Sequence, residues 1–261
     1  VESGFLEFAT PVIGTGLDKL RDAGAKKIVC LPGMLFAAGH VKNDLPSEVN
    51  NYAAENPGLE MIFAADLGID ARLLDAAKQR VEEALAQAGD GVSLDDTLLL
   101  VVGRGTNDSD ANSNVAKVTR MLWEGLGVGW AETAYSGVAY PLVDQALERI
   151  ATMGFKRVVV FPYFLFSGIL VTRIYNWVDE AAAANSGIEF VKASYLNDHP
   201  KVIDAFIGRM EDALAGQGNM NCQLCKYREQ IIGHEHDQGT AQVGNHHHVQ
   251  GAGVEDNPED P

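Results

Sequence analysis

Apolar residues along this chain follow two rhythms. Short runs dominated by Val, Leu and Ile, namely KIVCLP (27–32), TLLLVVG (97–103) and RVVVFP (157–162), show no alternation with polar residues. Such runs predict buried parallel strands. Between them lie stretches with apolar residues three and four apart, PVIGTGLDKLRDAG (11–24) and PLVDQALERIATMG (141–154). Each opens on a proline and closes on a glycine, the start and stop signals of a helix. A further helix is predicted over VAKVTRMLWEGL (115–126), after the loop RGTNDSDANSN. Strand–helix alternation of this kind implies an α/β fold, a parallel sheet flanked by helices.

The pattern is written twice. Pro11 meets Pro141, Leu17 meets Leu147, Gly24 meets Gly154 and Lys26 meets Lys156, all at an offset of 130. KIVCLP faces RVVVFP, and Leu35-Phe36 faces Leu165-Phe166. The register then slips by one residue: GLEMIFAADL (58–67) faces GIEFVKASYL (187–196), and LLDAAKQRVEEAL (73–85) faces VIDAFIGRMEDAL (202–214), at an offset of 129. A period this long marks a duplicated domain rather than a solenoid unit. The reading is an N-terminal domain over 1–94, a C-terminal domain over 95–217, and a tail over 218–261. Two such α/β domains are expected to face each other across a cleft at the carboxyl ends of their strands. The second copy opens with strand TLLLVVG, a loop and a helix that have no counterpart in the first. The N-terminal domain is therefore expected to lack its first strand, loop and helix.

Composition narrows the functional classes. The net charge of −16, from 20 basic and 36 acidic residues, argues against sequence-independent nucleic-acid binding. The longest apolar stretch, VVVFPYFLFSGILV (158–171), is too short to span a bilayer and is broken by Pro162. With three cysteines and no basic-then-apolar leader, a cytoplasmic, reducing setting is expected, with no membrane partner.

Two residues stand out because only one copy carries them. His40, in MLFAAGHVKNDLP (34–46), follows the strand that begins at Lys27, where open α/β sheets place ligand-binding groups. The second copy keeps the phrase as FLFSGILVTRI (164–174) and has Leu170 in its place. Glu7, in GFLEFATP, faces Gly137. By position alone, His40 reads equally as a surface-loop histidine and Glu7 as a solvated strand end. The duplication favours a single functional site, since the fold tolerates leucine and glycine there. A neutral imidazole beside a carboxylate can bind a divalent transition metal or move protons near neutral pH. The phrase Gly103-Arg104-Gly105 lacks a full dinucleotide fingerprint, and Asp108, Ser109 and Asp110 read as caps of the next helix.

GFLEFATPVI, MLFAAGHVKNDLP, VVGRGTNDSDANS and FPYFLFSGIL, in this order, resemble the long, two-domain sirohydrochlorin cobaltochelatases, class II chelatases. The resemblance runs over nearly the whole chain. It implies ATP-independent insertion of Co²⁺ into sirohydrochlorin on the path to cobalamin, with His40 and Glu7 matching the family's active-site histidine and glutamate. The family also carries a histidine in a Gly-His-Gly motif; the matching phrase of the second copy has Arg104 there. Lys42, Arg104 and Arg173 are candidate contacts for the substrate's carboxylates.

The tail has a different character. Cys222 and Cys225 by themselves form a C-x-x-C open to half a zinc site, a redox pair or cluster ligands. With Met220 they match a Met-x-Cys-x-x-Cys motif that the resemblance associates with an iron–sulfur cluster. Two cysteines cannot fill a four-thiolate site, so a cluster shared within a homodimer is expected. His234, His236, His246, His247 and His248 suggest metal capture or storage by a flexible extension. Two alternatives remain open at this stage: a ferrochelatase or nickel chelatase on the same tetrapyrrole, or a non-catalytic protein that binds metal or tetrapyrrole.

Overall fold

The computed structural model describes residues 1–218, 224–240, 244 and 249–251. Its strands and helices alternate. In chain order they are α1 (Ile13–Asp22), β1 (Lys27–Cys30), a π-helical turn (His40–Asp44), α2 (Leu45–Glu55), β2 (Glu60–Phe63) and α3 (Ala71–Ala88). β3 (Thr97–Gly103), α4 (Ser109–Leu126), β4 (Trp130–Tyr135), α5 (Val143–Ile150), β5 (Arg157–Pro162), α6 (Ile169–Ala184), β6 (Glu189–Lys192) and α7 (Pro200–Leu214) follow. All strand pairs are parallel: β1 with β2 in one sheet, and β4-β3-β5-β6 in the other. No described helix is long and apolar enough to cross a membrane.

The chain divides into two compact units, Val1–Asp66 with Gly208–Pro261, and Leu67–Ile207. In the second unit β3 and β5 are buried along their whole length. One face, with Leu98, Leu100, Val102, Val158 and Val160, packs against Val143, Ala146, Leu147 and Ile150 of α5 and Ile174 and Val178 of α6. The spacing of the α5 residues is the i, i+3, i+4, i+7 stripe of a core-facing helix. Each such leucine, isoleucine or valine contributes about 1.5–3 kcal/mol over its exposed state. The other face is covered by α3 and α4, which contact β5, β6 and β3.

These units cut the chain elsewhere than the repeat does. α3 belongs by sequence to the first copy, yet it packs in the second unit, where Arg80 donates to the Leu196 carbonyl at 3.4 Å. Its repeat partner α7 carries Arg209, whose Nε donates to the Asp66 carbonyl at 2.9 Å within the first unit. The last helix of the first copy thus lies in the second unit, and the second half of α7 in the first. Periodicity defines a helix's apolar stripe but not which sheet it covers. The linker after α3 is held by buried Arg157, which donates to the Gly89 and Val92 carbonyls and to Glu189 Oε2 at 2.9, 3.2 and 2.7 Å.

Two local expectations change. α4 starts at Ser109 rather than at Val115, because the Asp108 carboxylate accepts from the Asp110 amide at 3.1 Å and caps the helix there. Its first turns are polar and faintly amphipathic, so they read as loop. Predicted strand β1 is only half-buried, with Ile28 alone fully inside. Among the described residues its other edge has no strand partner. The tail also departs from a free extension: Cys225 and Val249 are buried, and the Phe8 amide donates to the Val249 carbonyl at 3.1 Å.

Candidate active site

Glu7 lies in a loop closed by a Phe5–Val12 bridge and by the Phe5 amide donating to the Pro11 carbonyl at 2.9 Å. Phe8 turns the chain in the left-handed region, at φ 54°. The second copy builds the same loop, with a Tyr135–Leu142 bridge, the Tyr135 amide on the Pro141 carbonyl at 2.9 Å, and Val138 at φ 65°. A non-glycine residue in this region costs about 1–2 kcal/mol. Both copies keep that conformation, so the loop is a scaffold; only the side chain it presents differs, Glu7 against Gly137.

His40 opens the π-turn after β1. The helical runs begin in register, the Lys42 amide bonding the Ala38 carbonyl as the Thr172 amide bonds Gly168, an offset of 130. They end at an offset of 129, with Asn56 and Asn185 each donating a side-chain amide to the carbonyl four residues back, both at 2.9 Å. The first copy's extra residue is therefore inside the helix, and the π-turn absorbs it. Single π-turns of this kind recur at functional sites.

The π-turn and the Glu7 loop bring three polar side chains together. His40 Nε2 is 3.7 Å from Glu7 Oε2, and His40 Nδ1 is 2.9 Å from Asp44 Oδ2. Asp44 thus faces Nδ1, and Nε2 is the ring nitrogen on the Glu7 side. The 3.7 Å gap is too long for a hydrogen bond. It is short enough for both atoms to reach one cation at metal–ligand distances of about 2.0–2.2 Å. Glu7 and His40 are partly exposed, whereas Asp44 is buried. Among the described residues no group of three or more His, Cys, Asp or Glu side chains forms a metal cage. Two donors leave coordination positions open, as a site that must release its metal requires.

Beneath this pair lies a second carboxylate that the sequence reading did not single out. Asp66 is buried and accepts from the Ala37 amide at 3.0 Å, tying down the loop that leads to His40. Burial pushes its carboxyl above the usual carboxylate range, against the Ala37 amide and the nearby charges of Arg209 and Lys42. The repeat holds the signal that would have found it, since the matching residue is Tyr195.

The remaining candidates are scattered. Lys42 is buried in the π-turn with its charge beside Asp66. Arg104 is exposed after β3 and donates to the Gly105 carbonyl at 3.3 Å, while Arg173 is half-buried on the first turn of α6. The flanking glycines are structural: a Cβ on Gly105, at φ +84°, would lie 1.9 Å from the Gly137 carbonyl oxygen. In the tail, His234 Nδ1 is 3.1 Å from Asp237 Oδ2, and His236 is exposed. Met220, Cys222, His246, His247 and His248 lie outside the described residues. The thiol of Cys30 is pushed up to about 11 by burial, which disfavours the thiolate that metals bind.

Comparison with known proteins gives this geometry a context. A "Sirohydrochlorin cobaltochelatase" of Priestia megaterium is 36% identical over 236 residues, 90% of this chain and 76% of that protein. SirB from Bacillus subtilis, solved with Fe³⁺, aligns with a TM-score of 0.70 at 26% identity, over 83% of this chain and 84% of that one. The sirohydrochlorin chelatase SirB from Bacillus subtilis subspecies spizizenii, solved in complex with cobalt, aligns with a TM-score of 0.67 at 26% identity, over 83% of each chain. Residues 1–84 and 98–213 match the CbiX family, and the chain belongs to it.

Proposed function

We propose that the chain is a sirohydrochlorin cobaltochelatase, a lyase that inserts Co²⁺ into sirohydrochlorin without ATP. The observation that carries this reading is the facing of His40 Nε2 and Glu7 Oε2 at 3.7 Å, in a duplicated fold whose other copy has Leu170 and Gly137. Insertion requires the metal to shed water while two pyrrole N–H protons leave the macrocycle. His40 offers Co²⁺ an imidazole nitrogen, a fitting donor for this ion. Glu7 is both a hard oxygen donor and a base near the reacting nitrogens. These two donors of the described residues leave positions at which four pyrrole nitrogens can take over the cation. Arg104 and Arg173 are the proposed partners of the substrate's carboxylates, which a chain of charge −16 otherwise repels. Lys42 is the weaker candidate, because its charge is engaged near Asp66.

Cys222 and Cys225 are read as ligands of an iron–sulfur cluster completed by a second copy, and the tail histidines as a metal store. The proposed setting is the cytoplasm. Iron is the second metal to consider, given the Fe³⁺ in the SirB structure. The test is an anaerobic spectral assay with sirohydrochlorin and either Co²⁺ or Fe²⁺. Faster insertion of Co²⁺ than in protein-free buffer is expected, and Glu7→Gln should slow it about 100-fold or more. Insertion no faster than in buffer with either ion would sink the reading; acceleration with Fe²⁺ alone would change the metal.

A further inference from the structure

We propose that Asp44 is the positioning residue of the site, setting the tautomer and ring plane of His40 so that Nε2 is presented to the incoming cation. The proposal rests on the chelatase reading above, in which His40 meets the metal.

Asp44 lies in continuous helix, at φ −68° and ψ −51°, where the π-turn passes into α2. One oxygen, Oδ2, faces His40 Nδ1 at 2.9 Å, and the other, Oδ1, accepts from Asn43 Nδ2 at 3.0 Å. The carboxylate is therefore clamped on one side and aimed at the imidazole on the other. Its side chain is only 5% exposed. Burying a carboxylate costs several kcal/mol unless its partners compensate, so a residue needed only to continue a helix has no reason to be acidic here. The second copy makes the same point: counted from the shared helix start, the matching residue is Ile174, fully buried in the core. The fold accepts an apolar side chain at that position when no histidine precedes it.

A buried carboxylate on the remote nitrogen of a metal-binding imidazole does two things. It fixes the proton on Nδ1, and its charge strengthens Nε2 as a donor; removing such a partner typically weakens metal binding about 10–100-fold. His199 is a useful internal contrast. Its Nδ1 accepts from the Lys201 amide at 3.2 Å and its Nε2 lies 3.0 Å from Gln79 Oε1, so both nitrogens are consumed by the fold. In His40 each ring nitrogen faces a carboxylate instead, Asp44 at Nδ1 and Glu7 at Nε2.

The experiment uses the full chain and two readouts. Titration with Co²⁺ alone, followed by its visible absorption, should give about 10–100-fold weaker binding in Asp44→Asn and Asp44→Ala. Separately, metal-free ¹H–¹⁵N spectra of the ring, assigned with a His40→Gln control, should show the proton on Nδ1 in the wild type and a redistributed proton in Asp44→Ala. Wild-type Co²⁺ affinity in a folded Asp44→Asn, or a proton on Nε2 in the wild type, overturns the proposal. Should Asp44→Ala fail to fold, Asp44→Asn and the wild-type spectrum decide. A wild type that does not bind Co²⁺ counts against the chelatase reading, and the spectra then judge Asp44 alone.

Discussion

The stretch from Leu35 to Asn56 and the stretch from Leu165 to Asn185 begin in register and end with the same side-chain cap, yet differ by one residue in between. In the second, a regular α6 buries Val171, Ile174 and Val178 and contributes to the core. In the first, a π-turn carries partly exposed His40 and the buried polar side chains of Lys42, Asn43 and Asp44. Desolvating that many polar groups is costly, and the apolar alternative is visible in the same molecule. The fold therefore does not need the polar version. A duplicated domain supplies its own control: what both copies keep is scaffold, and what one copy alone keeps marks the candidate site.

The sharpest way to break this comparison is to exchange the two side chains. His40→Ala should reduce Co²⁺ insertion about 100-fold or more in a chain that still folds but melts lower than the wild type, because the buried Asp44 carboxylate loses the imidazole it faces. Leu170→His should leave insertion unchanged. Near-normal turnover in His40→Ala, or loss of its fold, would assign His40 a structural role instead.

The tail offers a milder test, since its described residues pack with the first unit. Cys222→Ser and Cys225→Ser should each abolish visible iron–sulfur absorbance while insertion remains measurable. Absorbance that survives both changes places the cluster ligands elsewhere.

The smallest effect concerns Asp66, the one-copy carboxylate opposite Tyr195. Burial raises its folded pKa above the unfolded value of about 3.9. Its contribution to stability is then fully present below that unfolded value and is lost as pH rises through the raised one. Asp66→Asn keeps an acceptor for the Ala37 amide and does not ionise. Melting curves should therefore show the variant gaining on the wild type as pH climbs from about 4 toward neutrality. A variant that instead loses ground to the wild type over this range would mean the carboxylate's partners outweigh its desolvation.

Much of this protein is written along its sequence. Unbroken runs such as TLLLVVG can only be strands covered on both faces, and the repeat singled out Glu7 and His40 by what replaces them. These are local properties, or properties of one residue against its copy. Other features depend on which surfaces meet. The apolar stripe of α3 does not name its sheet, so its place in the second unit came from packing. Asp108 is legible as a cap of α4, but the polar first turns that follow it hide the six helical residues before Val115. Asp44 and Asp66 read as ordinary acidic residues until folding buries them, one against the His40 ring and one under its loop. A carboxylate's role is set by the desolvation it suffers and the donors it meets, and both exist only after the chain has closed on itself.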